Sequence, residues 1–182
     1  NCMRDFLKTR NMRRDPRVTL LCYDPRRPLR SLELRGTVVE MTEEVSPGTF
    51  TTGWYDGFPH SDTEYFAAMA EKNATPQRLI VGPWSHVGMR GDASWTLDVD
   101  FGPDSVWGVD RYFAEQLRFF DAYLRDGGEP LEDSPVRIFV MGGGSGRMTP
   151  EGKLDHGGRW REEWEWPPTR LVETTHFLHG DG

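Results

Sequence analysis

Thr49-Phe50-Thr51-Thr52-Gly53-Trp54-Tyr55-Asp56-Gly57 and Arg78-Leu79-Ile80-Val81-Gly82-Pro83-Trp84-Ser85-His86 are the stretches whose reading decides the fold. Thr49 to Trp54 reads as a short strand, and Asp56-Gly57 turns the chain directly after it. Ser61-Asp62-Thr63-Glu64 has the spacing of a capping box and predicts a helix with Tyr65, Phe66 and Met69 on one face, closing near Asn73. Pro76 breaks that helix, and Arg78 to Gly82 reads as a buried strand. Strand, helix, strand is the unit of a parallel sheet with a right-handed crossover. Parallel strands deliver their carboxyl ends to one rim, where sites form. Asp56 and His86 follow successive strands and are therefore expected side by side.

Outward from this unit, Val109 to Asp126 predicts a second helix with Val109, Phe113, Leu117, Phe120 and Leu124 as its apolar stripe, ended by Gly127-Gly128. Val136 to Met141 predicts a strand that runs into Gly142-Gly143-Gly144-Ser145-Gly146, and Trp160 to Gly182 predicts short β-like runs. Upstream, Met3 to Arg14 predicts a helix ending before Asp15-Pro16. Val18 to Tyr23 and Leu32 to Met41 predict a β-hairpin around Asp24-Pro25-Arg26-Arg27-Pro28. No internal repeat or low-complexity tract is present.

The composition is that of a folded globular chain, with 36% hydrophobic and 28% charged residues. The net charge of −7 conceals a break: residues 1–44 carry 10 basic against 7 acidic residues, whereas residues 45–182 carry 12 against 22. All seven tryptophans lie in the second part. This predicts a seam between unrelated pieces near Glu44–Pro47. The acidic body argues against nucleic acid as a partner, because phosphate binding needs a basic face. No apolar run reaches the roughly 18 residues of a membrane span, and nothing at the start resembles a signal peptide. Cys2 and Cys22 are too few for a disulfide framework, so a cytoplasmic setting is expected.

A His–Asp pair has a defined task in acyl transfer. The imidazole takes the proton of a serine and returns it to the leaving group, while the carboxylate fixes the tautomer and stabilises the imidazolium. The order acid before histidine is that of the last two members of an α/β-hydrolase triad. Spacing by itself does not separate such a pair from a chance Asp and His at strand ends.

The wording of the motifs adds to the spacing. Gly53-Trp54-Tyr55-Asp56-Gly57-Phe58, Gly82-Pro83-Trp84-Ser85-His86 and Asp100-Phe101-Gly102-Pro103 occur in that order. Leu117-Arg118-Phe119-Phe120-Asp121, Val136 to Gly143 and Trp160-Arg161 follow. From about residue 46 to 182 the chain resembles the cocaine-esterase-like acyl hydrolases of the X-Pro dipeptidyl-peptidase (S15) family. The resemblance implies an α/β class, with residues 45–159 as the C-terminal half of an α/β-hydrolase domain and residues 160–182 as the first strands of a jelly-roll β-sandwich. It implies Asp56 as triad acid and His86 as triad base, a small-molecule ester or proline-linked peptide as substrate, and no cofactor. Trp54 and Trp84 are candidates either for core packing or for the apolar wall of an acyl pocket. The nucleophile elbow Gly-x-Ser-x-Gly has no counterpart: Ser85 lacks flanking glycines, and Ser145 has Arg147 where the final glycine belongs. The serine is expected from sequence outside this chain, and the chain alone is expected to be inactive.

Residues 1–44 resemble a different family. Lys8-Thr9-Arg10-Asn11-Met12-Arg13-Arg14-Asp15-Pro16-Arg17-Val18 and Leu32-Glu33-Leu34-Arg35-Gly36 are similar to the F420-dependent branch of the pyridoxamine-5′-phosphate-oxidase-like split barrels. That likeness implies Lys8 near a cofactor phosphate. By themselves Arg10, Arg13, Arg14 and Arg17 read rather as a solvated basic face. An F420- or flavin-dependent oxidoreductase fragment and a non-catalytic fusion product are therefore the competing readings. The glycine run lacks the ending of a phosphate loop, and His60, His156, His176 and His179 show no metal-ligand spacing.

Overall fold

The computed structural model describes residues 7–24, 27–39, 46–72, 75–172, 174–177 and 180, with the backbone alone for residues 8, 22–24 and 27–31. The chain forms two compact units, Asn1–Glu44 and Val45–Gly182. Cys2, the start of the helix expected from Met3, and the seam residues 44 and 45 lie outside the described residues.

The first unit holds α1 (Leu7–Arg14), β1 (Arg17–Asp24) and β2 (Arg27–Thr37). The two strands pair antiparallel, with Leu20 opposite Leu34. Neighbouring side chains of a strand point to opposite faces. Leu20 and Leu21 are both exposed, as are Leu32 and Leu34, so this hairpin leaves apolar side chains in solvent on both sides. Lys8 falls in α1, and its side chain lies outside the described part of the structure.

The second unit is built on a four-stranded sheet of order β3-β4-β7-β9. Its elements are β3 (Gly48–Gly53), α2 (Pro59–Glu71), β4 (Gln77–Gly82), β5 (Trp95–Thr96), β6 (Val99–Asp100), α3 (Gly108–Tyr123), β7 (Val136–Met141), β8 (Leu154–Asp155) and β9 (Gly158–Glu163). β3, β4 and β7 run parallel, and β9 returns antiparallel against β7. β5, β6 and β8 form a small sheet of their own. Every residue of β4 is buried, as a central strand covered on both faces requires. Leu79 and Val81 face one layer with Phe66 of α2 and with Val136 and Ile138 of β7. Ile80 faces the other, with Trp84, Met89 and Trp107. Each such side chain contributes roughly 1.5–3 kcal/mol on burial.

Two expectations are corrected here, and one further strand is assigned. The helix begins at Pro59, not Ser61: proline sits at the helix start, where its missing N–H costs nothing, and Asp62 N–H already donates to the Phe58 carbonyl at 3.0 Å. Ser61 is thus inside the first turn, and its hydroxyl donates back to the same carbonyl instead of capping. The run at Trp160 pairs into the main sheet: it is β9, and Trp160 lies opposite Phe139. Finally, α3 turns a different face inward. Gly108 and Phe119 are buried and Tyr112 packs on the core, whereas Phe113, Leu117, Phe120 and Leu124 are exposed. Apolar periodicity identifies a face of a helix but not what covers it.

What holds α3 to the sheet is partly ionic. Arg78 of β4 is 3% exposed and donates to Asp133 at 2.8 Å, and Arg118 of α3 reaches both oxygens of the same carboxylate at 3.0 and 2.8 Å. Glu115 accepts from Arg118 at 3.0 Å and lies 3.5 Å from Arg78. Hydrogen bonds from Arg118, and secondarily from Arg78, hold the Asp133 carboxyl well below the usual carboxylate range.

Two outcomes are expected. Phe119→Ala should cost about 3–5 kcal/mol in urea unfolding, while Leu117→Ala should stay within about 0.5 kcal/mol. Equal losses would mean that α3 is rotated from the orientation described. Asp133→Asn should lose ~2 kcal/mol at pH 7, less than for a fully buried pair because the side chain is 30% exposed. The folded pKa of Asp133 lies below its unfolded value of about 3.9. Its contribution is therefore complete above that value and is lost as pH falls through the depressed one. Unfolding curves of wild type and variant should converge near the acid limit, and a constant gap would refute the assignment.

Candidate active site

β3 and β4 end in register on one rim, Gly53 opposite Gly82. A Cβ on Gly53 would stand 1.9 Å from the Trp84 carbonyl oxygen, and one on Gly82 would stand 2.5 Å from the Trp84 indole. Only glycine lets the chain after β4 pass this closely over the end of β3. Backbone bonds fix the two loops together: Trp54 N–H donates to Gly82 at 2.9 Å, Tyr55 N–H to Trp84 at 3.1 Å, and Asp56 N–H closes a turn on Gly53 at 3.0 Å.

That turn sets the Asp56 carboxylate under the imidazole of His86. Oδ1 accepts from Gly57 N–H at 2.6 Å, and Oδ2 lies 2.9 Å from His86 Nδ1. The pair is asymmetric, since the Asp56 side chain is 2% exposed and that of His86 68%. With Asp56 ionised, Nδ1–H donates to it, and Nε2 is left as an acceptor on an open face. The two side chains expected side by side from the strand order are in contact.

Two neighbours were not singled out in the sequence. Phe58 meets the His86 ring edge-on, with centroids 5.5 Å apart. It stands two residues after Asp56 in the same motif, which was the available signal. Asp62, in the first turn of α2, has its pKa raised by burial first and then by the nearby Asp56 charge. The buried Thr52 hydroxyl offsets part of this, although no hydrogen bond of full geometry joins the two. Asp62 was legible only as part of a capping box.

The two tryptophans belong to the packing. Trp84 is buried, donates from Nε1 to the Ser105 carbonyl at 2.8 Å and lies against Trp107 and Trp160. It is a platform under the loop and presents no wall to a pocket. Trp54 donates to the Phe139 carbonyl at 2.8 Å and tilts against Trp166. A cavity of about 770 Å³ is lined by Gln77, Arg78 and Pro135 at the amino ends of the strands and includes neither Asp56 nor His86. The Asp56–His86 pair sits at the opposite rim.

No serine hydroxyl hydrogen-bonds a histidine among the described residues. Ser145 donates to Asp155 at 2.7 Å, and Ser105 to the Gly102 carbonyl at 2.6 Å. The amides of the glycine loop are used internally, Gly144 N–H on His156 and Gly146 N–H on Asp155. No group of three potential metal ligands occurs among the described residues, nor does any described helix have the length and apolarity to cross a membrane.

Gly53→Ala should push the Trp84 carbonyl and with it the whole rim. Overpacking of this kind costs about 1–3 kcal/mol, and the Asp56–His86 hydrogen bond should be lost from a crystal structure of the variant. A variant of unchanged stability with the pair intact would show that the close passage is not what positions it.

No family model matches this chain. It is 33% identical over 139 residues to the cocaine esterase of Rhodococcus sp. (strain MB1 Bresler), a match covering 76% of this chain and 21% of that protein. The first unit is too short to hold such a match, which must fall chiefly on residues 45–182. No split-barrel oxidoreductase is among the relatives found for residues 1–44. The chain spans about a fifth of the length of its curated relative, and over three quarters of its own length it is similar to an esterase.

Proposed function

We propose that Asp56 and His86 are the acid and base of a serine-type acyl hydrolase acting on small esters or proline-linked peptides. The observation that carries this is the asymmetric pair: a buried carboxylate 2.9 Å from Nδ1 of an imidazole whose other nitrogen is open. Nε2 takes the proton of an attacking hydroxyl and delivers it to the leaving oxygen or nitrogen. Asp56 holds the tautomer and meets the imidazolium as it forms. Gly57 N–H, bound to the other carboxylate oxygen, keeps that carboxylate aimed. The similarity to an esterase and the order acid before histidine support the same reading.

The sequence contains no Gly-x-Ser-x-Gly, so the nucleophile comes from polypeptide beyond these residues. The chain alone should neither turn over p-nitrophenyl esters or Ala-Pro amides nor be labelled by a fluorophosphonate. Put in place of the matched stretch of the Rhodococcus relative, residues 46–182 should support ester hydrolysis. His86→Ala should then lower kcat by about a million-fold with little change in KM. Activity unchanged in that variant would make His86 structural and end the proposal, and labelling of the chain alone at Ser85 or Ser145 would relocate the nucleophile.

A further inference from the structure

The cavity of about 770 Å³ at the amino ends of β4 and β7 has no use in the chemistry above. Its volume falls within the roughly 300–1,000 Å³ of small-molecule sites. Phe66 of α2, Phe119 and Tyr123 of α3, and Trp164 and Trp166 beyond β9 give it aromatic walls.

Three observations fix the charge of what would fit there. The ionisable lining is acidic, with Glu71, Asp133 and Glu165 against Arg78 alone. Asp133 is already engaged at 2.8 Å by both Arg78 and Arg118, which leaves the exposed carboxylates of Glu71 and Glu165. Secondly, α2 and α3 both end at the cavity, since their last residues, Glu71 and Tyr123, line it. A helix C-terminus is the negative end of the helix dipole and is stabilised by a cation. Neither helix has a basic residue in its last turn, and Lys72, which follows α2, does not line the cavity. Thirdly, the aromatic faces carry no cation of the protein's own. Elsewhere in this unit Arg111 lies over Trp107 at 5.0 Å and Lys153 over Trp95 at 4.6 Å. Among the described residues no such cation lies over a ring of the cavity, and Trp164 is 74% exposed.

The polar wall adds a further constraint. Arg78 is 3% exposed, and its Nε is a buried donor with no hydrogen-bond partner among the described residues. Its terminal nitrogens are taken by Asp133 at 2.8 Å and the Ser134 carbonyl at 3.3 Å. A buried donor left unsatisfied costs about 1–3 kcal/mol, so the site has a use for an oxygen acceptor.

We propose that this cavity binds an organic ammonium ion that carries an apolar ring and a carbonyl or ether oxygen. The ammonium lies against Trp164 and near Glu71, where the ring face and the carboxylate attract it together. The oxygen accepts from Arg78 Nε. An anion would meet two carboxylates and two negative helix ends, and the one cation of the lining is already neutralised by Asp133. The site lies at the rim opposite Asp56 and His86, and the proposal does not rest on the acyl-hydrolase reading.

The probe is phenacyltrimethylammonium, which has a ring, a ketone and a permanent charge but no ester to hydrolyse. Titrated into the 182-residue chain, it should saturate and shift the indole N–H NMR signals of Trp164 and Trp166 while leaving those of Trp95 and Trp107 in place. Its uncharged isostere, neopentyl phenyl ketone, should bind about tenfold more weakly. Phenethyltrimethylammonium, which lacks the oxygen, should bind several-fold more weakly. Trp164→Ala, at an exposed position that leaves the fold intact, should weaken the probe about tenfold, and Glu71→Gln about threefold. No saturable shift, equal binding of the ketone or of the benzoylpropionate anion, indifference to both substitutions, or shifts centred on His86 would each overturn the proposal. Equal binding of phenethyltrimethylammonium would overturn the role given to Arg78.

Discussion

β4 is the element on which the second unit depends. All six of its residues are buried, and their alternation serves two cores at once, Leu79 and Val81 on one side and Ile80 on the other. Burial on both faces gives the strand no freedom of register, because a slip of one residue would exchange the two layers. The position of Gly82 is thereby fixed, and with it the loop that carries Trp84 and His86. The site is held by the core at one remove, through a tryptophan locked among Trp107 and Trp160.

The parts of this arrangement that were legible in sequence are those governed by local pattern and chain order. Strand, helix, strand predicts parallel pairing, parallel pairing predicts a common rim, and the rim brings Asp56 to His86. The parts that were not legible depend on partners remote in sequence. Nothing in Trp160-Arg161 states that this strand pairs with Val136–Met141 rather than starting a new sheet. Trp84 reads as a ligand wall or as core until its neighbours are known, and its burial on Trp107 decides for core. In α3 the apolar stripe was legible as a stripe, and periodicity did not say which side of the helix meets the sheet. The sheet side is occupied by Phe119 and by Glu115, Gln116 and Arg118, which look like solvent-facing residues in one dimension.

Charge follows a similar logic. Residues 1–44 and 45–182 differ in sign and in tryptophan content, and the structure divides between Glu44 and Val45. The first unit has two strands and exposes leucines on both faces. An isolated hairpin of that kind is marginal in water. The second unit has the two-sided core that a stable domain needs.

The asymmetry of the Asp56–His86 pair argues for orientation over stability. A surface ion pair contributes about 0–1 kcal/mol, and taking a carboxylate out of water costs several kcal/mol unless its oxygens are satisfied. Here the carboxylate is almost wholly buried while its partner is mostly in solvent. One oxygen is spent on Gly57 and the other on Nδ1. An apolar residue at position 56 would serve folding at least as well. What the buried carboxylate supplies, and an apolar side chain does not, is a fixed tautomer with Nε2 turned outward. That property does nothing for the core; under the acyl-hydrolase function proposed above, it is what a hydroxyl arriving at the rim would meet.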